Sequence, residues 1–383
     1  MCANDEAVII GAGTSPYRRR PTGRTTYQVL FDAVTAALRD ADLALADVDG
    51  FAVSSYSLAP DHAVDFAWQL GSSPRWLMED RLGGVNGVTM IRQAIRAVEA
   101  GDASVIVVVA GDHLEPRDFA RLADTYTRPV RDHLAPLPYG GFNTAFAMLT
   151  QRHMGEHGLT RTDYGQLVVA QRRWAAGNPA AAYRAPLSLR HYLDAEVIAD
   201  PLSRLDCVPV VTGADAVVVA TRNRARSGPT VRVRAQTTTF NHDNQEGSGL
   251  STGLRAAAPA FWDTAGIGPR DADVLSIYDD YPAMVLVQLQ DLGYIPDGDV
   301  ARFVKEDVVT RPLALNTSGG QLCAGQAGAA AGMHGPVEIV QQLRGRAGAR
   351  QVSGAGLGLV SGYGSFIYRH ASCSGAMVME VAP

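Results

Sequence analysis

Lysine is almost absent from this sequence. Lys305 is the only lysine in 383 residues, and lysine and arginine together number 34. A Schiff base forms on a lysine amine, so Schiff-base chemistry in this chain would depend on Lys305. This residue lies in the polar segment F-V-K-E-D, which we expect to be exposed.

Cysteine is also scarce, and no two cysteines have C-x-x-C spacing. Their scatter along the chain indicates neither a zinc site nor a disulfide framework. The residues show no clustering of histidine with Asp or Glu that would indicate a metal ion. A free cysteine is more often buried and inert than reactive. The four cysteines are Cys2, Cys207, Cys323 and Cys373.

The sequence also lacks long apolar runs and a strong net charge. The N-terminus has no basic-then-apolar signal pattern, and no uninterrupted apolar run approaches the length of a membrane span. A formal net charge of −5 gives no electrostatic reason to expect nucleic acid or an anionic membrane as a partner. We therefore expect a cytoplasmic globular protein, long enough for two domain-sized cores.

The chain contains two glycine-rich stretches, and similar predicted elements follow each of them. Residues 316–335 read N-T-S-G-G-Q-L-C-A-G-Q-A-G-A-A-A-G-M-H-G and predict a turn that leads into a helix ending near residue 344. Residues 83–112 predict a similar turn, a helix over 88–100 and a continuous apolar strand over 105–110. The same order of elements follows both turns, about 240 residues apart, which predicts an internal duplication.

The alternation of strands and helices predicts α/β layers in two halves, residues 1–225 and 229–383, with a loop insertion at about 113–205. Strands are predicted at 7–10, 49–54, 213–221, 231–238, 272–277, 351–360 and 375–381. Helices are predicted at 25–43, 142–157, 163–176, 187–199 and 253–265, and a long surface loop at 117–141.

The motif Y-D-D-Y at residues 278–281 directly follows a predicted buried strand. The carboxyl ends of strands are where α/β sheets place their active residues. Tyr278 can act as a general acid or base if its pKa falls towards neutral pH. The alternative is a turn with one buried phenol. His242, His334 and His370 are isolated, and we interpret them as structural.

Four segments, taken in order, resemble the thiolase superfamily on its lipid-transfer-protein (sterol-carrier-thiolase) side. Residues 84–105 resemble the helix that carries the nucleophile. N-P-A-A-A at 178–182, P-L-S-R-L-D-C at 201–207 and T-G-A-D-A at 212–216 resemble the end of the first half. Y-D-D-Y stands where thiolases carry N-E-A-F or H-D-x-F, and N-T-S-G-G at 316–320 where they carry N-x-S-G-G. The resemblance implies a five-layered α/β/α/β/α thiolase fold and a homodimer.

The departures from the thiolase pattern are as informative as the matches. The position of the nucleophilic cysteine falls on Gly84, which excludes an acyl-enzyme at this site. The position of the G-H-P histidine falls on Gln326, which donates hydrogen bonds but does not titrate. The final thiolase cysteine falls near residues 368–370, with Cys373 close by but out of register.

Because it lacks this cysteine, the sequence resembles the steroid side-chain-cleaving aldolases of this branch. The resemblance implies retro-aldol cleavage of a β-hydroxyacyl-CoA, a bulky ring substrate and a DUF35-type OB-fold partner. Coenzyme A would be part of the substrate, with no tightly bound cofactor. Tyr278 aligns with one of that family's two catalytic tyrosines, and Gln326 aligns with the other. The role of the second tyrosine would therefore pass to another residue, and the alternatives are Tyr281, Tyr363 and His370. Loop residues expected near the enolate oxygen are Gly84, Asn316, Gly319, Gly320 and Gly375.

Two other hypotheses stay open at this point. One is a thiolase-like acyltransferase or condensing enzyme that uses Cys323 or Cys373 as a nonstandard nucleophile. The other is a non-catalytic subunit that binds acyl-CoA and stabilises a partner. An acyl adduct on a cysteine would favour the first, and binding without turnover would favour the second.

Overall fold

The structure is a computed structural model that describes residues 6–20, 23–137 and 139–382. Cys2 lies outside these residues. The strands of the described residues are β1 (Ala7–Thr14), β2 (Gly50–Ser54), β3 (Trp76–Glu79), β4 (Val105–Asp112), β5 (Val197–Ala199), β6 (Leu202–Ser203), β7 (Gly213–Thr221), β8 (Val231–Phe240), β9 (Val274–Ser276), β10 (Leu357–Phe366) and β11 (Ala371–Val381).

The helices of the described residues are α1 (Thr26–Asp40), α2 (Ala63–Gln69), α3 (Asn86–Ala100), α4 (Pro116–Thr125), α5 (Phe142–His157), α6 (Arg161–Ala175), α7 (Leu189–Leu193), α8 (Leu254–Ala265), α9 (Pro282–Asp291), α10 (Val300–Phe303), α11 (Gly320–Ala324) and α12 (Ala331–Leu343). Within the described ranges, none of these helices is long and apolar enough to cross a membrane.

Nine of these strands, all within the described ranges, form one sheet in the order β3-β2-β4-β7-β1-β8-β11-β10-β9. The two parts of this order repeat one another. In the first part β2 pairs parallel with β4, and β4-β7-β1 are antiparallel. In the second part β9 pairs parallel with β10, and β10-β11-β8 are antiparallel. The parts meet at a single residue pair, Ile9 with Val231. The predicted internal duplication is therefore confirmed.

The hydrophobic clusters define five layers. Alternating residues of β4 point to opposite faces, as in any strand. Val107 and Val109 pack against α1 in an outer cluster, whereas Ile106 and Val108 join an inner cluster with α3 and α12. The inner faces of β10 and β11 belong to that same inner cluster. The outer face of the second part packs against α8 and α9. The predicted α/β/α/β/α order is confirmed, and β4 is apolar throughout because helices cover both of its faces.

The two central helices cross near their N-termini. A Cβ atom on Gly87 of α3 would lie 2.1 Å from the carbonyl oxygen of Gly332 in α12. Only glycine permits such an approach of two backbones. Asn86 donates from its side-chain amide to the carbonyl oxygen of Ala329, at 2.8 Å. The duplication therefore brings both glycine-rich turns to one place, as the sequence predicts.

Three segments differ clearly from the sequence-based prediction. The strand predicted at 351–360 is β10, which begins at Leu357 and ends at Phe366. Residues 117–141 contain helix α4 and a short helical turn, Val130–Leu134, so the prediction of an irregular loop was wrong. Asp118 caps α4 by accepting from the N–H of Glu115 at 3.2 Å. Residues 187–199 contain the short α7, but the chain then turns into β5, which pairs with β6. The domain limits 1–225 and 229–383 stay a prediction.

Candidate active site

A cavity of about 220 Å³ brings together residues from each of the main motifs. The residues of the Y-D-D-Y motif that line it are Tyr278, Asp280 and Tyr281, which follow β9. Gly84 comes from the turn before α3, and Gln326 from the turn after α11. A larger groove, of about 640 Å³, contains residues of the segment 15–20 but none of the predicted site residues. The smaller cavity is therefore the candidate active site.

Gly84 is enclosed by two tyrosines, Tyr278 after β9 and Tyr363 in β10. A Cβ atom built on Gly84 would lie 2.1 Å from the carbonyl oxygen of Tyr363. It would also lie 2.4 Å from Cε2 and Cζ of the Tyr278 ring. Both separations are far below van der Waals contact, so no side chain fits beside Gly84 while Tyr278 holds this position. The phenol ring occupies the space that a nucleophilic side chain would need.

Gln326 lies beside the Tyr278 hydroxyl. Its amide Nε2 donates to the Tyr278 oxygen at 3.4 Å and to Oε1 of Gln321 at 3.2 Å. Because the Tyr278 oxygen accepts from Gln326, the phenolic hydrogen stays available for a ligand in the cavity. Gln326 therefore contacts Tyr278 as a hydrogen-bond donor, and its amide is neither an acid nor a base at neutral pH.

The two aspartates of the motif have different surroundings. Asp279 accepts from the backbone N–H of Gln321 at 2.8 Å and of Leu322 at 3.3 Å, and from Nε2 of Gln171 at 2.8 Å. It therefore holds the start of α11 in place. Asp280 lines the cavity, and its Oδ1 accepts only the N–H of Tyr281, at 3.0 Å. Asp279 is structural, whereas Asp280 faces the space where a substrate would lie.

Tyr281 and Tyr363 also line the cavity, but their hydroxyls have partners. The Tyr281 hydroxyl donates to Oδ1 of Asn143 at 2.7 Å, and its ring stacks on Phe146 with centroids 4.3 Å apart. The Tyr363 hydroxyl accepts from the N–H of Ala371 at 3.1 Å. Both residues shape the wall between β10 and α5. Asn143 engages the hydrogen of the Tyr281 hydroxyl, whereas the Tyr363 hydroxyl, like that of Tyr278, accepts a hydrogen bond and donates none among the described residues.

Four of the predicted oxyanion residues lie behind the cavity wall. The backbones of Gly319 and Gly320 have positive φ angles of 93° and 60°, and a Cβ on Gly320 would lie 1.9 Å from Oδ2 of Asp279. Asn316 uses its Oδ1 to accept the N–H of Ile277 at 2.8 Å. Gly375 lets the valine side chains at the start of α3 approach β11. Of the five predicted oxyanion residues, the structure brings Gly84 alone to the cavity lining.

His370 and the two proposed nucleophilic cysteines are not among the residues that line the cavity. His370 is buried with its Nε2 3.1 Å from Oδ2 of Asp243. Cys323 is buried beside α6, where Nε of Arg172 donates to its Sγ at 3.3 Å. Burial raises the pKa of the Cys323 thiol to about 11, and burial also raises the pKa of the Cys373 thiol. Both thiols are therefore protonated at neutral pH, and neither is among the residues that line the cavity.

The titratable groups that line the described part of the cavity include phenols and the carboxyl group of Asp280, and burial raises their pKa values. Burial raises the pKa of Tyr278 and of Tyr281 well above the ordinary value for tyrosine, and it raises the pKa of Tyr363 as well. It also raises the pKa of Asp280 well above its ordinary value, and the neighbouring Asp279 adds to the rise. A phenolate is therefore costly here, and burial likewise favours the protonated form of the Asp280 carboxyl.

The sequence-based reasoning missed several residues that line the cavity. Asp280 was part of a recognised motif, but adjacent aspartates gave no sign of which one faces a ligand. Cys207 lines the cavity, and burial raises its pKa to about 12. Tyr56 and Tyr126 place their hydroxyls 3.0 Å apart, beside Gly83. The described residues hold no group of three His, Cys, Asp or Glu that is placed to bind a metal ion.

The remaining cavity wall is apolar and aromatic. Phe119 and Leu122 come from α4, Phe142 and Phe146 from α5, and Phe366 from β10. Phe142 forms edge-to-face contacts with Tyr126 and Phe366, at centroid distances of 5.4 and 5.5 Å. Phe119 of α4 also contacts Phe142, with ring centroids 6.3 Å apart. The apolar side chains of α4 therefore cover the cavity.

Comparison with known proteins agrees with this architecture. The family "Thiolase C-terminal domain-like" matches residues 235–373. A 17-hydroxy-3-oxo-4-pregnene-20-carboxyl-CoA lyase of Mycobacterium tuberculosis is 30% identical over 362 residues, which is 89% of this chain and 92% of the relative. An acetyl-CoA acetyltransferase of Methanothermobacter thermautotrophicus is 28% identical over 362 residues, 88% of this chain and 90% of the relative.

A solved structure described as an Ltp2-ChsH2(DUF35) aldolase has the same fold. It superposes with a TM-score of 0.83 at 24% sequence identity, and the match covers 100% of this chain and 99% of that chain. The duplicated sheet order, the crossed central helices and the sequence relatives lead to one conclusion. The chain belongs to the thiolase superfamily, in its sterol-carrier-thiolase-like branch.

Proposed function

We propose that this protein is a carbon–carbon lyase that cleaves a β-hydroxyacyl-CoA thioester by a retro-aldol reaction. The observation that carries the proposal is the packing of Tyr278 against Gly84. A thiolase-fold cavity that has a phenol in the space of the nucleophile is not built for an acyl-enzyme. It still offers a hydrogen-bond donor to a thioester oxygen, which is what a retro-aldol cleavage requires.

The reaction needs no covalent intermediate. A base takes the proton of the β-hydroxyl group, the Cβ–O bond becomes a carbonyl, and the Cα–Cβ bond breaks. The electron pair of that bond passes into the thioester, which becomes an enolate. We propose that the Tyr278 hydroxyl donates to the enolate oxygen, and that Gln326 orients this hydroxyl through its 3.4 Å hydrogen bond. Protonation at Cα then gives the shortened acyl-CoA.

The lining favours an apolar group on the β-carbon. The aromatic side chains of α4, α5 and β10 form that part of the wall, and a volume of about 220 Å³ is small beside the several hundred Å³ usual for pockets of drug-sized ligands. We propose a substrate whose β-carbon bears an apolar ring, with coenzyme A as part of the substrate and no tightly bound cofactor. The relative from M. tuberculosis is named for a steroid CoA ester, which supports a ring substrate.

The test is product analysis with two β-hydroxyacyl-CoA probes of different size. The large probe is 17-hydroxy-3-oxo-4-pregnene-20-carboxyl-CoA, and the small probe is 3-hydroxy-3-phenylpropionyl-CoA. We expect a carbonyl compound and a shortened acyl-CoA in equal amounts from at least one probe. Tyr278→Phe is expected to lower kcat about 100-fold or more, since oxyanion donors contribute about 10²–10³ in kcat. Full activity in a folded Tyr278→Phe variant would refute this role of Tyr278.

Acyl transfer is the second hypothesis, and two observations are reasons to test it. One relative is named an acetyl-CoA acetyltransferase, and Cys207 lines the cavity. The raised pKa of Cys207, about 12, argues against a thiolate at neutral pH. Intact mass spectrometry after incubation with acetyl-CoA decides between the hypotheses. An acyl adduct on Cys207, Cys323 or Cys373 would favour acyl transfer. Binding of the CoA ester without turnover or adduct would favour a non-catalytic subunit.

We also propose a homodimer with a DUF35-type partner in a cytoplasmic location. β3 is the edge strand of the sheet, and Trp68 on the adjacent α2 is 74% exposed, which is consistent with a subunit interface there. The similar aldolase structure is described as Ltp2-ChsH2(DUF35), which supports a DUF35-type partner. Light scattering of the purified chain, alone and with a DUF35 protein, tests both parts. A monomer that does not bind the partner, yet cleaves the probe, would refute them.

A further inference from the structure

Among the residues that the structure describes, Asp280 supplies the one carboxyl group that lines the cavity. The other titratable groups that line it are phenols and one thiol, and within the described residues no Lys, Arg or His side chain lines it. Those groups are Tyr56, Tyr126, Tyr278, Tyr281, Tyr363 and Cys207. Among the described residues, the side chains placed to receive a proton from the β-hydroxyl are therefore those of this set.

We propose that Asp280 is the catalytic base that removes the β-hydroxyl proton and returns it to Cα of the enolate. This inference rests on the proposed lyase function. One Asp280 oxygen is held by the N–H of Tyr281, at 3.0 Å. The other oxygen has no hydrogen-bond or ion-pair partner in the described part of the chain. Asp280 is partly exposed, unlike Asp279, and the exposure is towards the cavity.

The surroundings of Asp280 suit a base. It touches no cation among the described residues. The titratable groups that face it are Asp279 within its own segment and the phenols of Tyr278, Tyr281 and Tyr363. Burial and the charge of Asp279 raise its pKa well above the ordinary value. A carboxylate shifted in this way is a stronger proton acceptor than an exposed one, and it remains far easier to ionise than the buried phenols.

Asp280 alone can take up and return the one proton that the reaction moves. The O–H bond of the substrate breaks, and the proton binds the unpaired oxygen of Asp280. The electron pair of the O–H bond forms the new carbonyl, and the Cα–Cβ pair forms the enolate. The protonated Asp280 then gives the same proton to Cα, so the carboxylate is regenerated. No oxidant, reductant or further reactant is needed.

The proposal also accounts for the glutamine at position 326. The resemblance places Gln326 where the related aldolases carry a second catalytic tyrosine, and an amide cannot take up a proton. Asp280 stands at the alanine of the N-E-A-F motif, so this chain has a carboxylate where that motif has a small inert residue. The acid–base role therefore lies in the Y-D-D-Y motif, and Gln326 keeps a positioning role.

The experiment compares Asp280→Asn, Asp280→Ala and a control, Asp291→Asn, with the wild-type chain and the probe that it cleaves. Asp291 is a buried carboxylate that accepts from Thr252 and does not line the cavity. We expect Asp280→Asn to lower kcat about 10²–10⁴-fold with KM within about threefold, because general-base catalysis contributes that much. Asp291→Asn is expected to lower the melting temperature and to keep kcat within about threefold.

Two further readouts separate a base from a structural residue. In the wild-type chain kcat/KM should fall towards acidic pH as the base is protonated, and the residual activity of Asp280→Asn should lack this fall. Formate should raise kcat of Asp280→Ala in a concentration-dependent way, since it fits the space that the side chain leaves. The Ala variant is expected to fold, because alanine is the residue of the related motif.

Each failure has a distinct meaning. No product from the wild-type chain with either probe would refute the lyase function itself. Product from the wild-type chain, together with an Asp280→Asn variant within threefold of it, would overturn the role of Asp280 and leave the lyase function intact. A residual rate that keeps the acidic fall, or no formate rescue in Asp280→Ala, would also overturn it.

Discussion

The space beside the backbone of Gly84 has room for one side chain, and the ring of Tyr278 fills it. The two residues lie 194 positions apart in the chain, yet the ring atoms Cε2 and Cζ of Tyr278 stand 2.4 Å from where the Cβ of any larger residue at position 84 would be. A nucleophile at 84 and a phenol at 278 are therefore mutually exclusive in this backbone. The exclusion of a nucleophile at position 84 and the proposed donor role of Tyr278 therefore depend on the same packing contact.

The first prediction concerns this packing. Gly84→Ala is expected to destabilise the fold by about 1–3 kcal/mol, the usual cost of overpacking, and to lower kcat because the Tyr278 ring must move. Gly84→Cys is expected to behave in the same way and to form no acyl adduct. Urea unfolding and intact mass spectrometry check these outcomes.

Gly155 provides a matched control for that substitution. It lies within α5, and nothing surrounds the position of an added Cβ within 4 Å. Gly155→Ala is expected to stabilise the chain by about 0.5–1 kcal/mol, because alanine is the better helix former. If Gly84→Ala were as stable as the wild-type chain, the close contact with Tyr278 would be wrong.

The second prediction separates the two tyrosines of the motif. Tyr281→Phe removes the hydrogen bond to Asn143 but keeps the ring stacked on Phe146. We expect a loss of about 0.5–1.5 kcal/mol in stability and a kcat within about tenfold of wild type. Thermal unfolding and steady-state kinetics measure both quantities. A 100-fold fall in kcat at an unchanged melting temperature would make Tyr281 a catalytic residue.

The third prediction concerns stability as a function of pH. Burial raises the pKa of Asp279 from its ordinary 3.8 to about 7, against the opposing effect of the N–H donors of Gln321 and Leu322. Between pH 4 and pH 7 the unfolded chain loses this proton, whereas the folded chain keeps it. The contribution of Asp279 to the free energy of unfolding therefore falls as pH rises through this window.

Asp279→Asn isolates that contribution, because asparagine does not titrate. Urea unfolding of both chains at several pH values gives the difference in free energy of unfolding between wild type and variant. We expect this difference to shrink from pH 4 to pH 7. A difference that grows with pH would mean that the backbone donors outweigh burial and hold the pKa of Asp279 low.

The fourth prediction concerns the single lysine. Lys305 is exposed and is not among the residues that line the cavity, so it has no access to a bound carbonyl compound. Lys305→Gln is expected to keep full lyase activity, and borohydride treatment in the presence of the ketone product should not inactivate the enzyme. Reductive trapping of product on Lys305, with loss of activity, would point to Schiff-base chemistry instead.

Much of the fold follows from local patterns in the sequence. Strand β4 is apolar on both faces, which predicts a central strand covered by two helical layers. The glycine-rich turns before α3 and α12, each followed by a helix and a strand, predict the duplication. Helix α4 was missed, although Asp118 three residues after Glu115 was a capping signal. Its apolar residues are explained only by the cavity that they cover.

The sequence by itself determined what is missing from the site: glycine at position 84 and glutamine at 326 exclude a nucleophile and a titrating group there. It did not determine which aspartate of Y-D-D-Y faces the cavity and which is held by hydrogen-bond donors. Adjacent side chains in extended backbone point in opposite directions, and the sequence does not say which direction holds a helix and which holds a cavity. The packing of α11 against the end of β9 decides this. Two N–H groups of α11 and the side chain of Gln171 from α6 donate to Asp279, and Asp280 is left facing the cavity.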